Sequence, residues 1–178
     1  EVFAWLMSKF AIGFFIVAGV TLLVTPHAWW PKYYDVTYMG IAALVCAVAI
    51  WRVPARLKTP LAIILLLNAS GDLGLYQLYK YGFEYDKVIH LASPLIATLA
   101  LARFWNLRRA VIIVLVCGIA WELFEFLVDR YFKTRIFGVY HLFIWRDTIL
   151  DMVLDGMGVA IAYLFLRLKS SRKSGTVS

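Results

Sequence analysis

Residues 109–130 read RAVIIVLVCGIAWELFEFLVDR. From Ala110 to Trp121 the run is apolar, and it contains no proline. At about 1.5 Å per residue, a helix of this length crosses a hydrocarbon core of about 30 Å. Yet Glu122, Glu125 and Asp129 lie in its second half. Their i, i+3, i+7 spacing puts all three on one helical face. An ionised acid near a bilayer centre costs about 2.5–3.5 kcal/mol on the insertion scale. Water, protonation, basic partners or a metal ion must therefore compensate, and the acids mark the place to look for function.

The rest of the chain has the same character. Its 178 residues are 63% hydrophobic and 16% charged, with mean hydropathy +0.79, whereas a soluble domain is nearer half apolar and a quarter charged. No alternating ten-residue segments suggest an outer-membrane barrel. We expect an all-α, polytopic membrane bundle forming one domain over residues 1–178. Six spans are expected, approximately at Phe3–Val24, Asp35–Trp51, Thr59–Tyr81, Tyr85–Phe104, Arg109–Arg130 and Ile144–Leu168. Pro26, Pro31, Pro54 and Pro60 fall in or beside the first connections, where a missing N–H ends helices. Pro94 lies inside the fourth span and predicts a kink one turn below His90. The first span lacks a basic n-region and a good cleavage site, so it reads as a true span rather than a signal peptide.

Basic residues set the orientation. Arg52, Arg56 and Lys58, then Arg103, Arg108 and Arg109, then Arg167, Lys169, Arg172 and Lys173 belong on one side of a six-span chain. The positive-inside rule makes that side, and both termini, cytoplasmic. The Trp29-Trp30, Tyr33-Tyr34 and Tyr79–Tyr81 groups suit an outer interfacial belt. The formal net charge of +7 then reports topology and attraction to anionic lipid heads, not nucleic-acid binding.

Helical rise converts this topology into depth. His90 falls roughly 7 Å inward from the start of its span, Glu125 and Glu122 about 7 and 12 Å below the outer end of theirs, Asp151 about 10 Å and Asp72 about 14 Å. Asp86 and His90 are i,i+4 neighbours; Asp147, Asp151 and Asp155 follow i, i+4, i+8. Acids at such spacings repel, and their repetition suggests a cation between them. Carboxylates with a single imidazole suit Mg²⁺, Mn²⁺, Fe²⁺ or Zn²⁺, one ion or two. Cys46 and Cys117 are solitary and mid-span, so neither a disulfide nor a thiolate site is indicated.

The order Tyr85-Asp86-Lys87-Val88-Ile89-His90, Trp121-Glu122-Leu123-Phe124-Glu125 and Asp147-Thr148-Ile149-Leu150-Asp151-Met152 resembles the YjdF-type inner-membrane proteins, themselves distantly similar to VanZ-like membrane proteins. The resemblance covers roughly residues 60–165. It implies a small helical fold in a bacterial or archaeal plasma membrane and says little of the reaction. One departure is the loop before Asp147, usually glycine-rich, which here reads Ile136-Phe137-Gly138-Val139-Tyr140-His141.

The leading expectation is a metal-dependent membrane hydrolase or phosphoesterase acting on a lipid-linked, phosphate-bearing substrate at the outer leaflet. His90, Glu122, Glu125, Asp147 and Asp151 are the expected ligands, with Asp86, Glu122 or Asp147 as catalytic base. Asp72 and Asp155 are weaker candidates. Arg130, Arg135 and Arg146, near Lys133, would receive phosphate; guanidinium groups do so in a bidentate manner. Plainer readings stand beside these. Asp86, Asp129 and Asp147 lie near helix ends, where acids cap or favour the positive N-terminus, and the basic groups could simply balance Asp129 and Asp147. The same acids would also serve an ion- or proton-coupled transporter, or form a structural network in a subunit of a larger membrane complex. Membrane lipids, another membrane protein or a second copy are the partners this class implies.

Overall fold

The computed structural model describes residues 2–26, 36–132 and 144–174. Asp35, Lys133, Arg135, the loop 136–141 and the Trp29–Tyr34 part of the expected belt lie outside the described residues, as do the side chains of Asp72 and Asp129.

All regular elements among the described residues are helical: α1 (Val2–Val24), α2 (Val36–Arg52), α3 (Ala55–Asp72), a 3₁₀ segment (Leu75–Tyr81), α4 (Tyr85–Leu101), α5 (Leu107–Phe132) and α6 (Ile144–Ser174). The six apolar runs thus form helices. Three of them, over Val2–Val24, Leu107–Leu127 and Trp145–Ser171, are long and apolar enough to cross a membrane, or four if α3 and the 3₁₀ segment form one broken span. The other two helices, α2 and α4, have 17 residues each. Each rises about 25 Å, somewhat less than the thickness of a typical hydrocarbon core.

Local chemistry explains the boundaries. Thr25 and Pro26 end α1. The Asn106 side chain accepts the Arg109 backbone N–H at 2.9 Å, an N-cap that satisfies an otherwise orphaned donor at the start of α5. α3 begins four residues before the expected Thr59, so Pro60 lies inside the helix. α4 runs on through Pro94 to Leu101, although Pro94 supplies no N–H to the His90 carbonyl one turn earlier.

The chain divides into two compact units, residues 1–69 and 70–178. In the first, Ala11, Phe15, Ala47, Ile50 and Ala62 form a small core with Leu61, Leu65 and Leu66 around it. A Cβ on Gly19 would meet the Gly40 carbonyl oxygen at 2.9 Å, so α1 and α2 approach at backbone distance, the kind of contact small residues allow in membranes. Phe3, Trp5, Phe10 and Val17 remain exposed.

In the second unit α4, α5 and α6 pack on one another, and the 3₁₀ segment packs on α4. The Tyr85 ring sits edge-on to Tyr76, and its hydroxyl is 2.7 Å from Ser70 Oγ, which anchors the start of α4. Several acids turn inward while large apolar neighbours face out. On α6 Ile149, Val153 and Met157 are exposed while Asp147, Asp151 and Asp155 are buried. On α5 Glu122 is 1% exposed beside Leu123 at 54%. Such inversion fits a lipid-facing surface, with ionisable groups turned to the bundle interior.

Candidate functional site

Two glycines let the helices approach closely enough to form the site. A Cβ on Gly158 of α6 would lie 2.4 Å from the Leu91 carbonyl oxygen and 3.2 Å from the Leu95 nitrogen of α4. Only a hydrogen fits there, and the resulting close approach brings Asp155, one turn earlier on α6, against His90. A Cβ on Gly118 of α5 would lie 2.6 Å from Asp155 Oδ2. That glycine leaves room for the carboxylate between α5 and α6.

His90 is the centre of the cluster. Its Nδ1 lies 3.1 Å from Asp155 Oδ1 and 3.3 Å from Glu122 Oε1. Its Nε2 faces Asp86 Oδ1 at 3.6 Å. Three helices thus place carboxylates around one imidazole whose side chain is 11% exposed. Glu122 Oε1 is buried and has no hydrogen-bond partner among the described residues. An unsatisfied buried carboxylate oxygen is costly.

Lys87 organises the other half. Its Nζ donates to Asp147 Oδ1 at 2.5 Å, Asp151 Oδ1 at 2.7 Å and Asp86 Oδ2 at 3.2 Å. Asp86 therefore links the halves, with one oxygen toward Lys87 and the other toward His90. Five carboxylates surround one ammonium and one imidazole. Even with His90 protonated, three formal negative charges remain unbalanced.

Two sets of groups bring their ligand atoms within 4.8 Å of one another: Asp86, His90 and Asp151, and His90, Glu122 and Asp155. Ligands held about 2.0–2.2 Å from a common ion are spaced by about 3 Å, close to the 3.1 and 3.3 Å separations around His90 Nδ1. The second set also contains the Glu122 oxygen that makes no hydrogen bond among the described residues, so its donors fit a divalent ion.

The expected site residues divide accordingly. His90, Glu122, Asp151, Asp147 and Asp86 come together. Glu125 and Asp147 belong to neither three-group set, and Asp147 is held by Lys87. Arg130 and Arg146 are exposed at the ends of α5 and α6, and Arg135 lies outside the described residues. Asp155, a weaker candidate from the sequence, belongs to the core of the site. Lys87 was missed: its neighbour Asp86 was read as the i,i+4 partner of His90, but a lysine stem is long enough to reach α6. Lys87 directly after Asp86 and three residues before His90 was the available signal.

The family described as "Predicted membrane protein (DUF2238)" matches residues 3–172. The chain belongs to this family. It is a membrane protein by that match and by its apolar helices. No curated protein and no solved structure matches the chain.

Proposed function

We propose that this chain is a metal-dependent membrane enzyme whose divalent ion is held by His90, Glu122 and Asp155, and which acts on a lipid-linked, phosphate-bearing substrate. The observation that carries this reading is Glu122 Oε1, buried without a hydrogen-bond partner among the described residues, 3.3 Å from the imidazole it shares with Asp155. The unbalanced acids support it: a cation here removes a large desolvation cost. Asp86, facing Nε2, plays the usual part of a carboxylate that orients a ligating histidine and fixes its tautomer. A bound divalent ion would polarise a phosphoryl oxygen and lower the pKa of a water. Glu125, one turn from Glu122 on α5, belongs to neither three-group set and is the carboxylate left to accept a proton from water. Asp147 serves the Lys87 clamp rather than the base role.

The topology proposed with it has six spans and cytoplasmic termini in a bacterial or archaeal plasma membrane, in keeping with the YjdF-type motif order and its remoter VanZ-like likeness. The site then lies beneath the outer surface. A substrate with an apolar tail would enter along the exposed Trp121, Phe124 and Leu150 surface, with Arg130 and Arg146 above it to meet phosphate. Metal content and phosphate release test this. Purified protein should bind Mn²⁺ or Zn²⁺ stoichiometrically and, so loaded, release phosphate from a lipid phosphate in mixed micelles. His90→Ala and Glu122→Gln should lose both while keeping their helical content. A folded wild-type chain that binds no divalent ion overturns the reading.

A proton-coupled path is the second reading. It is favoured by Ser93 Oγ and Thr98 Oγ1, buried hydroxyls on α4 beyond His90 without hydrogen-bond partners among the described residues. Proton flux in liposomes that persists in chelator and stops in Asp155→Asn would support it over the enzyme.

A further inference from the structure

We propose that Lys87 is a built-in cation filling the second half of the cluster, so that the centre takes one divalent ion rather than two. This rests on the metal reading above and answers a question the ligand count leaves open, since carboxylates in this number could hold a dinuclear site.

The Lys87 ammonium occupies the place a second metal would need. It has three N–H donors and no acceptor, and it meets three carboxylate oxygens from α4 and α6 at 2.5, 2.7 and 3.2 Å. The side chains of Asp147 and Asp151 are each 4% exposed, so the charges it neutralises are largely shielded from solvent. Asp86 and Asp151, which with His90 form the other possible ion-holding set, both spend an oxygen on Lys87. A divalent ion added there would sit beside a fixed positive charge and lose those oxygens to it.

Histidine chemistry gives the same count. A neutral imidazole offers one lone pair and carries a proton on its other nitrogen. If Nδ1 binds the ion between Glu122 and Asp155, Nε2 keeps its proton and turns it toward Asp86. A second ion would then find oxygen ligands only, in a seat already holding an ammonium. Lys87 therefore keeps half of the cluster neutralised whatever the metal supply, and leaves the exchangeable position to His90, Glu122 and Asp155.

The test is the number of Mn²⁺ ions bound per full-length chain in detergent, by equilibrium dialysis with spin-resonance detection of free Mn²⁺. The wild-type chain should bind one. Asp147→Asn, at a carboxylate that Lys87 holds and that belongs to neither three-group set, should still bind one, with affinity changed by less than about tenfold. Lys87→Met should bind two, the second in the vacated seat. Two ions in the wild type overturn the inference, as does a tenfold or greater loss of affinity in Asp147→Asn. One ion in a folded Lys87→Met overturns it too, yet leaves the enzyme reading intact. If Lys87→Met fails to fold, the wild-type and Asp147→Asn counts decide. A wild-type count of zero instead overturns the metal reading itself.

Discussion

At the residue scale the decisive feature is a buried acid oxygen, Glu122 Oε1, that makes no hydrogen bond among the described residues. Glu122 adds a charge to an interior already rich in carboxylates, so its retention argues for an ion rather than for stability. Glu122→Gln should therefore abolish metal binding while the thermal midpoint of the metal-free protein stays level or rises, measured by circular dichroism in detergent. Lys87 is the opposite case. Lys87→Met leaves Asp86, Asp147 and Asp151 without their shared cation and should cost about 3–5 kcal/mol of stability in denaturant titrations without metal. Metal affinity should fall from neutral to mildly acid pH, because protons compete for carboxylate and imidazole ligands; Mn²⁺ titrations at the two conditions check the sign. Much of this residue set was legible from helical spacing, and the exceptions have physical causes. The buried stripe of α5 runs through Ala110, Val114 and Glu122 at intervals of four or eight. Glu125, three residues on, is rotated about 60° from Glu122, given 3.6 residues per turn, and is only half-buried. Spacing alone could not tell which of two neighbours on a broad face would point at the partner helices.

At the element scale, close approach positions the chemistry. A side chain on Gly158 would run into the backbone of α4, which cannot withdraw without separating the helices. Gly158→Ala should destabilise the second unit by about 1–3 kcal/mol and weaken metal binding together with it. The clash at Gly118 is with the end of the Asp155 side chain, which can swing away. Gly118→Ala should thus keep its thermal midpoint within a few degrees and still lose metal affinity, a separation that paired melting and Mn²⁺ titrations would reveal. Helix positions were readable from long apolar runs, whereas these contacts were not, because sequence reports which residues are small but not which partner they face. The early start of α3 was missed because Pro60 read as a boundary, yet the helix accommodates it.

At the scale of the whole molecule, composition identified the class. A chain with this hydrophobic content leaves Trp5, Phe10, Ile119, Trp121 and Leu164 exposed, which only an apolar solvent makes favourable. The family match over residues 3–172 spans both compact units, although the buried acids gather in the second. Topology is open to direct test. With Cys46 and Cys117 replaced, a single cysteine placed between α4 and α5, near Arg103, should react with an impermeant maleimide only after the cytoplasmic face is exposed. Labelling from outside in intact cells would reverse the proposed orientation. The central claim is that α4, α5 and α6 together hold one divalent ion, and anomalous diffraction from Mn²⁺-soaked crystals tests it most directly. The account predicts one peak about 2.2 Å from His90 Nδ1, Glu122 Oε1 and Asp155 Oδ1. A well-ordered cluster with no peak there, or with the ion seated elsewhere, would contradict it.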